Sequence, residues 1–219
     1  MTVSLPLSVI VPLFLVSAIV GVWGSLTRRT LVLRVAKPTT TILLFFVVGA
    51  PHSRFAWLVD VGILFSLAGD VALLGDPKKT FLIGLGLFLG AHASYIAGFV
   101  GIAVADAGGV GFWSPPAIVA AVVMAVVTLL LLRKLWPGAT GIRAPLVGYA
   151  MALGTMVVSA IAAAGAGASA LAAFGAALFY VSDASLALDN FHRPIKHSAV
   201  LTLGVYWLGQ LGIALAARG

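Results

Sequence analysis

Two aspartates lie inside stretches that are otherwise apolar enough to cross a lipid bilayer. Asp70 falls in LFSLAGDVALLGDP, residues 64–77, and Asp183 falls in LFYVSDASLALDNF, residues 178–191. An ionisable group buried in hydrocarbon is costly unless it is paired, so it marks a functional position by default. Two carboxyl groups in different surroundings can serve one reaction as acid and base. The pair therefore predicts either acid–base catalysis or the handling of protons and ions.

The composition places these acids in a membrane protein. The chain has 219 residues, of which 62% are hydrophobic and 9% are charged, whereas a soluble domain has about 25% charged residues. We expect a single integral membrane domain over residues 1–219. The net charge of +7 then reflects membrane topology and not nucleic-acid binding. The absence of cysteine excludes disulfides, thiolate catalysis and metal sites with cysteine ligands.

Apolar runs bounded by charge, proline or glycine predict an all-α bundle of eight transmembrane helices, numbered here as spans 1 to 8. A helix rises roughly 1.5 Å per residue, so runs of this length suit a hydrocarbon core of about 30 Å. Span 2 is the weakest because Arg34 and Lys37 interrupt its start; without it the bundle has seven helices. The predicted spans are 4–24, 34–50, 55–74, 80–104, 115–133, 144–164, 168–188 and 198–217.

The positions of the cations predict the orientation of the bundle. The four connections that follow the odd-numbered spans carry ten cations, whereas only Arg54 and Arg218 fall at the opposite face. Short loops rich in lysine and arginine stay in the cytoplasm. We therefore expect a multi-pass protein of the bacterial inner (plasma) membrane with both termini outside, and the uneven split also supports eight spans. The ten cations are Arg28, Arg29, Arg34, Lys78, Lys79, Arg133, Lys134, Arg143, Arg193 and Lys196.

The polar residues inside the spans gather in the cytoplasmic half of the predicted bundle. Asp70 and Asp183 each precede the end of their helix by about five residues, so both carboxyls lie roughly 6–8 Å from that end. Lys37 can neutralise only one of them, which leaves the other without a cation. These polar residues can support a reaction, or they can serve helix packing alone. They are Lys37, Ser66, His92, Tyr95, Tyr149, Ser182, Tyr206 and Gln210.

Spans 3 and 7 resemble each other. Each contains Leu-Phe, then an aspartate, a leucine three residues later and a second aspartate six residues after the first. Four helices separate the two copies, so both point the same way. The pattern favours two four-helix halves arranged as a parallel pseudo-repeat, as in some transporters. The matching residues are Leu64, Phe65, Asp70, Leu73 and Asp76 in span 3, and Leu178, Phe179, Asp183, Leu186 and Asp189 in span 7.

Several kinds of catalytic site lack support in the sequence. The chain has no Gly-x-Ser-x-Gly motif, which a serine hydrolase of the α/β type would carry. A membrane zinc hydrolase needs about three converging ligands, but His92 is the one histidine well inside a span. We therefore expect a site without a metal or cofactor.

The sequence resembles the YhhN-like lysoplasmalogenases over most of its length. This resemblance implies an eight-helix membrane bundle that hydrolyses the vinyl-ether bond of lysoplasmalogens without a metal, giving a fatty aldehyde and a glycerophospho-head group. It also implies that Asp70 and Asp183 are the two key acids. The resemblance is carried by Lys37-Pro38, FSLAGDVALL at 65–74, FLIGLGLFLGAHASY at 81–95, Tyr149, LFYVSDASLAL at 178–188 and YWLGQLGI at 206–213.

The implied reaction suits two carboxyl groups in one apolar site. A vinyl ether is cleaved by protonating its outer alkenyl carbon, which needs a protonated acid, and the resulting oxocarbenium ion is stabilised by a nearby carboxylate. The substrate would be a lysophospholipid that enters from the cytoplasmic leaflet of the bilayer. A proton-coupled or lipid transporter is the alternative, although the buried charges occupy one half of the bilayer only. A third interpretation is a structural membrane protein in which the acids are merely paired.

Overall fold

The structure, a computed structural model, describes residues 6–75, 77–105 and 110–218, and every regular element within them is helical. Asp76, which belongs to the sequence pattern shared by spans 3 and 7, lies outside the described residues. The helices are α1 (Leu7–Leu26), α2 (Thr30–Val48), α3 (Arg54–Ala72), α4 (Pro77–Ala105), α5 (Val110–Trp113), α6 (Pro115–Leu135), α7 (Arg143–Gly165), α8 (Ala170–Phe191) and α9 (Val205–Ala217); a π-helical turn (Val200–Gly204) precedes α9.

Eight helical segments of the described chain are long and apolar enough to cross a membrane, the last of them being the π-helical turn together with α9, and this confirms the predicted polytopic all-α bundle. The one marked difference at a boundary concerns span 2. The sequence predicts its start at residue 34, but α2 begins at Thr30 and places Arg34 and Lys37 in its first two turns. Long cationic side chains can follow an apolar surface while their charged heads reach polar surroundings. The two cations therefore do not prevent the helix from beginning before them. The single-turn helix α5 is not predicted.

The two halves of the bundle, α1–α4 and α6–α9, have equivalent contacts between their helices. Helix α3 packs on α4 as α8 packs on α9, and α1 packs on α2 as α6 packs on α7. In addition, α4 contacts α7, and α9 contacts α2. Each half therefore sets its last helix against the second helix of the other half. This is the pattern of contacts that a parallel repeat of four helices predicts.

Small residues bring the helices that carry polar groups into close contact. At Gly175 of α8, an added Cβ would lie 2.5 Å from the carbonyl oxygen of Gly209 in α9. At Gly62 of α3, an added Cβ would overlap the ring of Tyr95 in α4. Small residues at helix interfaces in membranes allow this approach and the van der Waals contacts that stabilise it.

We expect Gly175→Ala to lower the thermal midpoint of the detergent-solubilised protein, because the new methyl group meets a backbone that cannot move aside. Overpacking of this kind costs about 1–3 kcal/mol. Gly86→Ala is the matched control, since an added Cβ at Gly86 has no neighbour within 4 Å. Equal midpoints for the two variants, measured by loss of a monodisperse size-exclusion peak on heating, would contradict the close packing of α8 on α9.

Candidate active site

Asp70 lies in the last turn of α3 and is 1% exposed. The Nζ of Lys37 lies 3.2 Å from its Oδ1. Its Oδ2 accepts hydrogen bonds from the hydroxyls of Thr41, at 2.6 Å, and Tyr206, at 3.1 Å. Lys37 and Thr41 are four residues apart and so project from one face of α2. The Asp70 carboxyl is thus matched by one cation and held by two hydroxyl groups.

Asp183 lies near the end of α8 and is 9% exposed. Its Oδ2 accepts a hydrogen bond from the hydroxyl of Tyr149 in α7. The Nε2 of His92 in α4 lies 3.7 Å from the same oxygen. Among the described side chains no lysine or arginine lies within 4.0 Å of this carboxyl. Asp183 therefore has a phenol and an imidazole as its partners, whereas Asp70 has an ammonium group.

A buried amide holds Tyr206 toward Asp70. The Nε2 of Gln210 donates to the Tyr206 hydroxyl at 3.2 Å and to the Oγ of Ser66 at 2.8 Å. Its Oε1 accepts a hydrogen bond from the Tyr95 hydroxyl at 2.6 Å. Because Gln210 donates to the Tyr206 oxygen, the hydroxyl hydrogen of Tyr206 is directed to Asp70. The network joins α3, α4 and α9 behind the carboxyl.

Both carboxyls line one cavity of about 110 Å³, which is room for several water molecules. The cavity lies where α3 and α8 end and where α4, α7 and α9 begin, at the end of the bundle that carries the basic connections. Its wall is otherwise mostly leucine, phenylalanine and alanine. The polar residues that line it are Lys37, Asp70, Tyr149, Ser182, Asp183, Thr202 and Tyr206.

The other residues singled out in the sequence occupy different positions around this cavity. Ser66, His92, Tyr95 and Gln210 are buried behind the lining. Ser182 lines the cavity, but its hydroxyl donates to the carbonyl oxygen of Thr202 at 2.7 Å and not to a carboxyl. Thr41 is a functional candidate that the sequence analysis missed. Its position one turn after Lys37 was the available signal. In the part of the chain that the structure describes, no three histidine, cysteine, aspartate or glutamate residues converge.

Comparison with known proteins identifies the family of this chain. Residues 32–217 match the YhhN family. The chain belongs to that family. It is 30% identical over 166 residues to the human lysoplasmalogenase TMEM86A, an alignment that covers 73% of this chain and 64% of the human protein. The bovine TMEM86A is 31% identical over the same shares of both chains. The rat lysoplasmalogenase TMEM86B is 27% identical over 183 residues, or 83% of this chain and 70% of the rat protein.

This YhhN-family chain thus spans somewhat less than two thirds of the length of the TMEM86A relatives that it matches. No solved structure gives a significant match. The likeness of sequence therefore shows the family, and the arrangement of the site comes from the geometry described above.

We expect Lys37→Met to lower the thermal midpoint of this YhhN-family protein strongly, because it leaves the Asp70 carboxyl buried without its cation. Breaking a buried ion pair by removing one partner costs about 3–5 kcal/mol. The double variant Lys37→Met/Asp70→Asn should recover part of the loss, since it removes the orphaned charge as well. If the double variant melts lower than Lys37→Met alone, the two side chains do not depend on each other as the geometry indicates.

Proposed function

We propose that this chain hydrolyses the vinyl-ether bond of a lysoplasmalogen, a lysophospholipid with a 1-alkenyl chain, and releases a fatty aldehyde and a glycerophospho-head group. The observation that carries the proposal is that two buried carboxyls, one paired with lysine and one not, line a single cavity. The human and rat relatives are lysoplasmalogenases, which supports the same reaction for this chain.

The reaction needs both carboxyls. An acid transfers a proton to the outer carbon of the alkenyl ether, and this creates an oxocarbenium ion at the carbon attached to oxygen. A carboxylate in a low-dielectric site stabilises that cation and can take a proton from the attacking water. Glycosidases divide the same tasks between two carboxyl groups for a related cation. Water then adds to the cationic carbon to give a hemiacetal, which collapses to aldehyde and alcohol.

The shape and charge of the site suit a single-chain phospholipid. The apolar wall includes Leu131, Leu135, Leu146 and Leu153, which suit an alkenyl chain. The volume near the carboxyls is small, so the rest of the chain would extend beyond the cavity into the bundle wall or the bilayer. The lipid phosphate would lie toward the basic connections. Their exposed cations include Lys79, Arg133, Lys134, Arg143, Arg193 and Lys196.

We expect membranes that contain the protein to release aldehyde from lysoplasmalogen, and to do so in the presence of EDTA. Asp70→Asn and Asp183→Asn should each reduce this release by about a thousandfold or more, since general acid–base catalysis alone contributes typically 10²–10⁴-fold. Aldehyde is measured by a coupled dehydrogenase assay on equal amounts of monodisperse protein.

Asp60→Asn is the matched control for both variants. Asp60 lies at the other end of α3, and its carboxyl does not line the cavity. Its replacement should leave aldehyde release within about twofold of the unaltered protein. Normal turnover by Asp70→Asn or Asp183→Asn would remove that residue from the mechanism. Lipid flux in proteoliposomes without any product would favour a carrier and count against the hydrolase.

The orientation in the membrane is part of the proposal, because it decides which leaflet supplies the lipid. We place the basic connections, and with them the cavity, at the cytoplasmic face, since short loops rich in lysine and arginine stay in the cytoplasm. The chain has no cysteine, so a single introduced cysteine can be labelled to show which side of the membrane its position faces. His52 precedes α3 and Thr140 lies between α6 and α7, and both are exposed.

In intact bacterial cells, a membrane-impermeant maleimide should label His52→Cys at once and Thr140→Cys only after the membrane is opened. The expectation follows from the opposite faces that the two positions occupy in the bundle. Labelling of Thr140→Cys alone in intact cells would reverse the orientation and would place the cavity at the outer leaflet.

A further inference from the structure

The two carboxyls occupy equivalent positions in the two halves of the bundle. Each aspartate is contacted by one side chain from the preceding helix and by another from the last helix of the opposite half. These contacts are Lys37 of α2 and Tyr206 of α9 for Asp70, and Tyr149 of α7 and His92 of α4 for Asp183. The site is therefore assembled from two half-sites of the same plan.

The sequence spacing supports this equivalence. Lys37 and Tyr149 are 112 residues apart, Asp70 and Asp183 are 113 apart, and His92 and Tyr206 are 114 apart. A nearly constant offset across three helices is what a repeat of four helices produces. The two half-sites then differ mainly in side-chain type, because one has a lysine and a tyrosine where the other has a tyrosine and a histidine. One half-site carries a fixed positive charge and the other does not.

The half-site of Asp70 is built for an ionised carboxylate. Lys37 offers hydrogen-bond donors only. The hydroxyls of Thr41 and Tyr206 both donate to Oδ2. Every described group in contact with the Asp70 carboxyl oxygens thus has a hydrogen to supply. An ionised carboxylate can use all three of these donors, whereas a proton on Asp70 would displace one of them.

The half-site of Asp183 is built to hold one proton. The Nδ1 of His92 faces the carbonyl oxygen of Phe88, which can only accept, so Nδ1 carries a hydrogen. The Nε2 atom of the neutral ring then has a lone pair directed toward Oδ2 of Asp183, and it has no hydrogen-bond partner among the described residues. Two acceptors 3.7 Å apart repel each other, but a proton on either atom and a small side-chain adjustment would turn the contact into a hydrogen bond.

We propose that Asp183 is the proton donor to the alkenyl carbon, that His92 is the positioning residue that shares its proton, and that Asp70 is the carboxylate that stabilises the cation and accepts a proton from water. This inference rests on the proposed function and assigns its roles. His92 is 0% exposed and does not line the cavity, so the proton leaves through Asp183. The second oxygen of Asp183, Oδ1, makes no hydrogen bond to any described residue, so rotation of the carboxyl about its Cβ–Cγ bond can turn the protonated oxygen from His92 to the substrate.

These roles close a cycle without any further reagent. The O–H bond of Asp183 breaks as the π electrons of the vinyl ether form the new C–H bond, which leaves an oxocarbenium ion and an ionised Asp183. Water attacks the cationic carbon and gives its proton to Asp70. The C–O bond to glycerol then breaks, the glycerol oxygen takes the proton from Asp70, and the hemiacetal hydroxyl returns its proton to Asp183. Both carboxyls end in their starting states.

The division between acid and base is tested by chemical rescue of the truncated variants Asp70→Ala and Asp183→Ala with sodium formate at neutral pH. Formate supplies an anion and almost no acid, so we expect it to raise aldehyde release by at least tenfold for Asp70→Ala and by less than twofold for Asp183→Ala. Rescue of Asp183→Ala instead, or an equal response of the two variants, would overturn the assignment. Failure of the proposed function is a separate result, because the unaltered protein would then release no aldehyde.

The role of His92 is tested with His92→Gln, which keeps a polar group of similar length but cannot hold the proton. We expect kcat to fall at least tenfold, KM to stay within twofold, and the solvent deuterium isotope effect on kcat to increase, since proton transfer becomes slower. Tyr180→Phe is the control, because this α8 hydroxyl contacts Thr128 at 3.2 Å and lies outside the cavity lining. An unchanged isotope effect, even with a reduced kcat, would assign His92 to packing alone.

Discussion

The structure depends on the cost of placing two carboxyl groups in an apolar bundle that has one lysine to set against them. An unpaired charge in a medium of low dielectric is unfavourable by many kcal/mol, so each acid must find a cation or stay neutral. Lys37 meets this requirement for Asp70 at 3.2 Å. Asp183 meets only a tyrosine and a histidine. The electrostatic difference between the two acids thus follows from which helices face each carboxyl.

That difference is superimposed on a repeated backbone plan. The same pairs of helices pack in both halves, and glycines such as Gly175 and Gly209 let the backbones of α8 and α9 touch. The last helix of each half packs against the other half, which places His92 beside Asp183 and Tyr206 beside Asp70. A repeat makes two similar carboxyl sites, and substitution of a few side chains around them makes the sites unlike. Two unlike carboxyls beside one cavity are the arrangement that acid–base chemistry needs.

The fold and the residues of the candidate site could largely be predicted from the sequence. The contacts between those residues could not, for a physical reason. Hydropathy and charge indicated eight spans. The predicted distance of about five residues from each aspartate to its helix end was wrong, because α3 ends two residues after Asp70 and α8 ends eight residues after Asp183. The sequence also showed that Lys37 could pair with only one acid. It could not show which one, nor that Thr41 would bond to Asp70, because these helices are apolar nearly all round and carry little periodicity to orient them. The contact of His92 with Asp183 needs the neighbour relations of α4 and α8, which are 91 residues apart at these positions.

The proposed reaction requires that one carboxyl in the cavity is protonated and the other is ionised at neutral pH. Infrared difference spectroscopy of the protein in lipid measures this directly, because a protonated carboxyl has a carbonyl stretch that a carboxylate lacks. We expect Asp183→Asn to remove such a band from the spectrum of the unaltered protein, whereas Asp70→Asn should remove carboxylate absorption and leave that band in place. Loss of the band in Asp70→Asn and its retention in Asp183→Asn would show that Asp70 is the protonated carboxyl and would reverse the assigned roles.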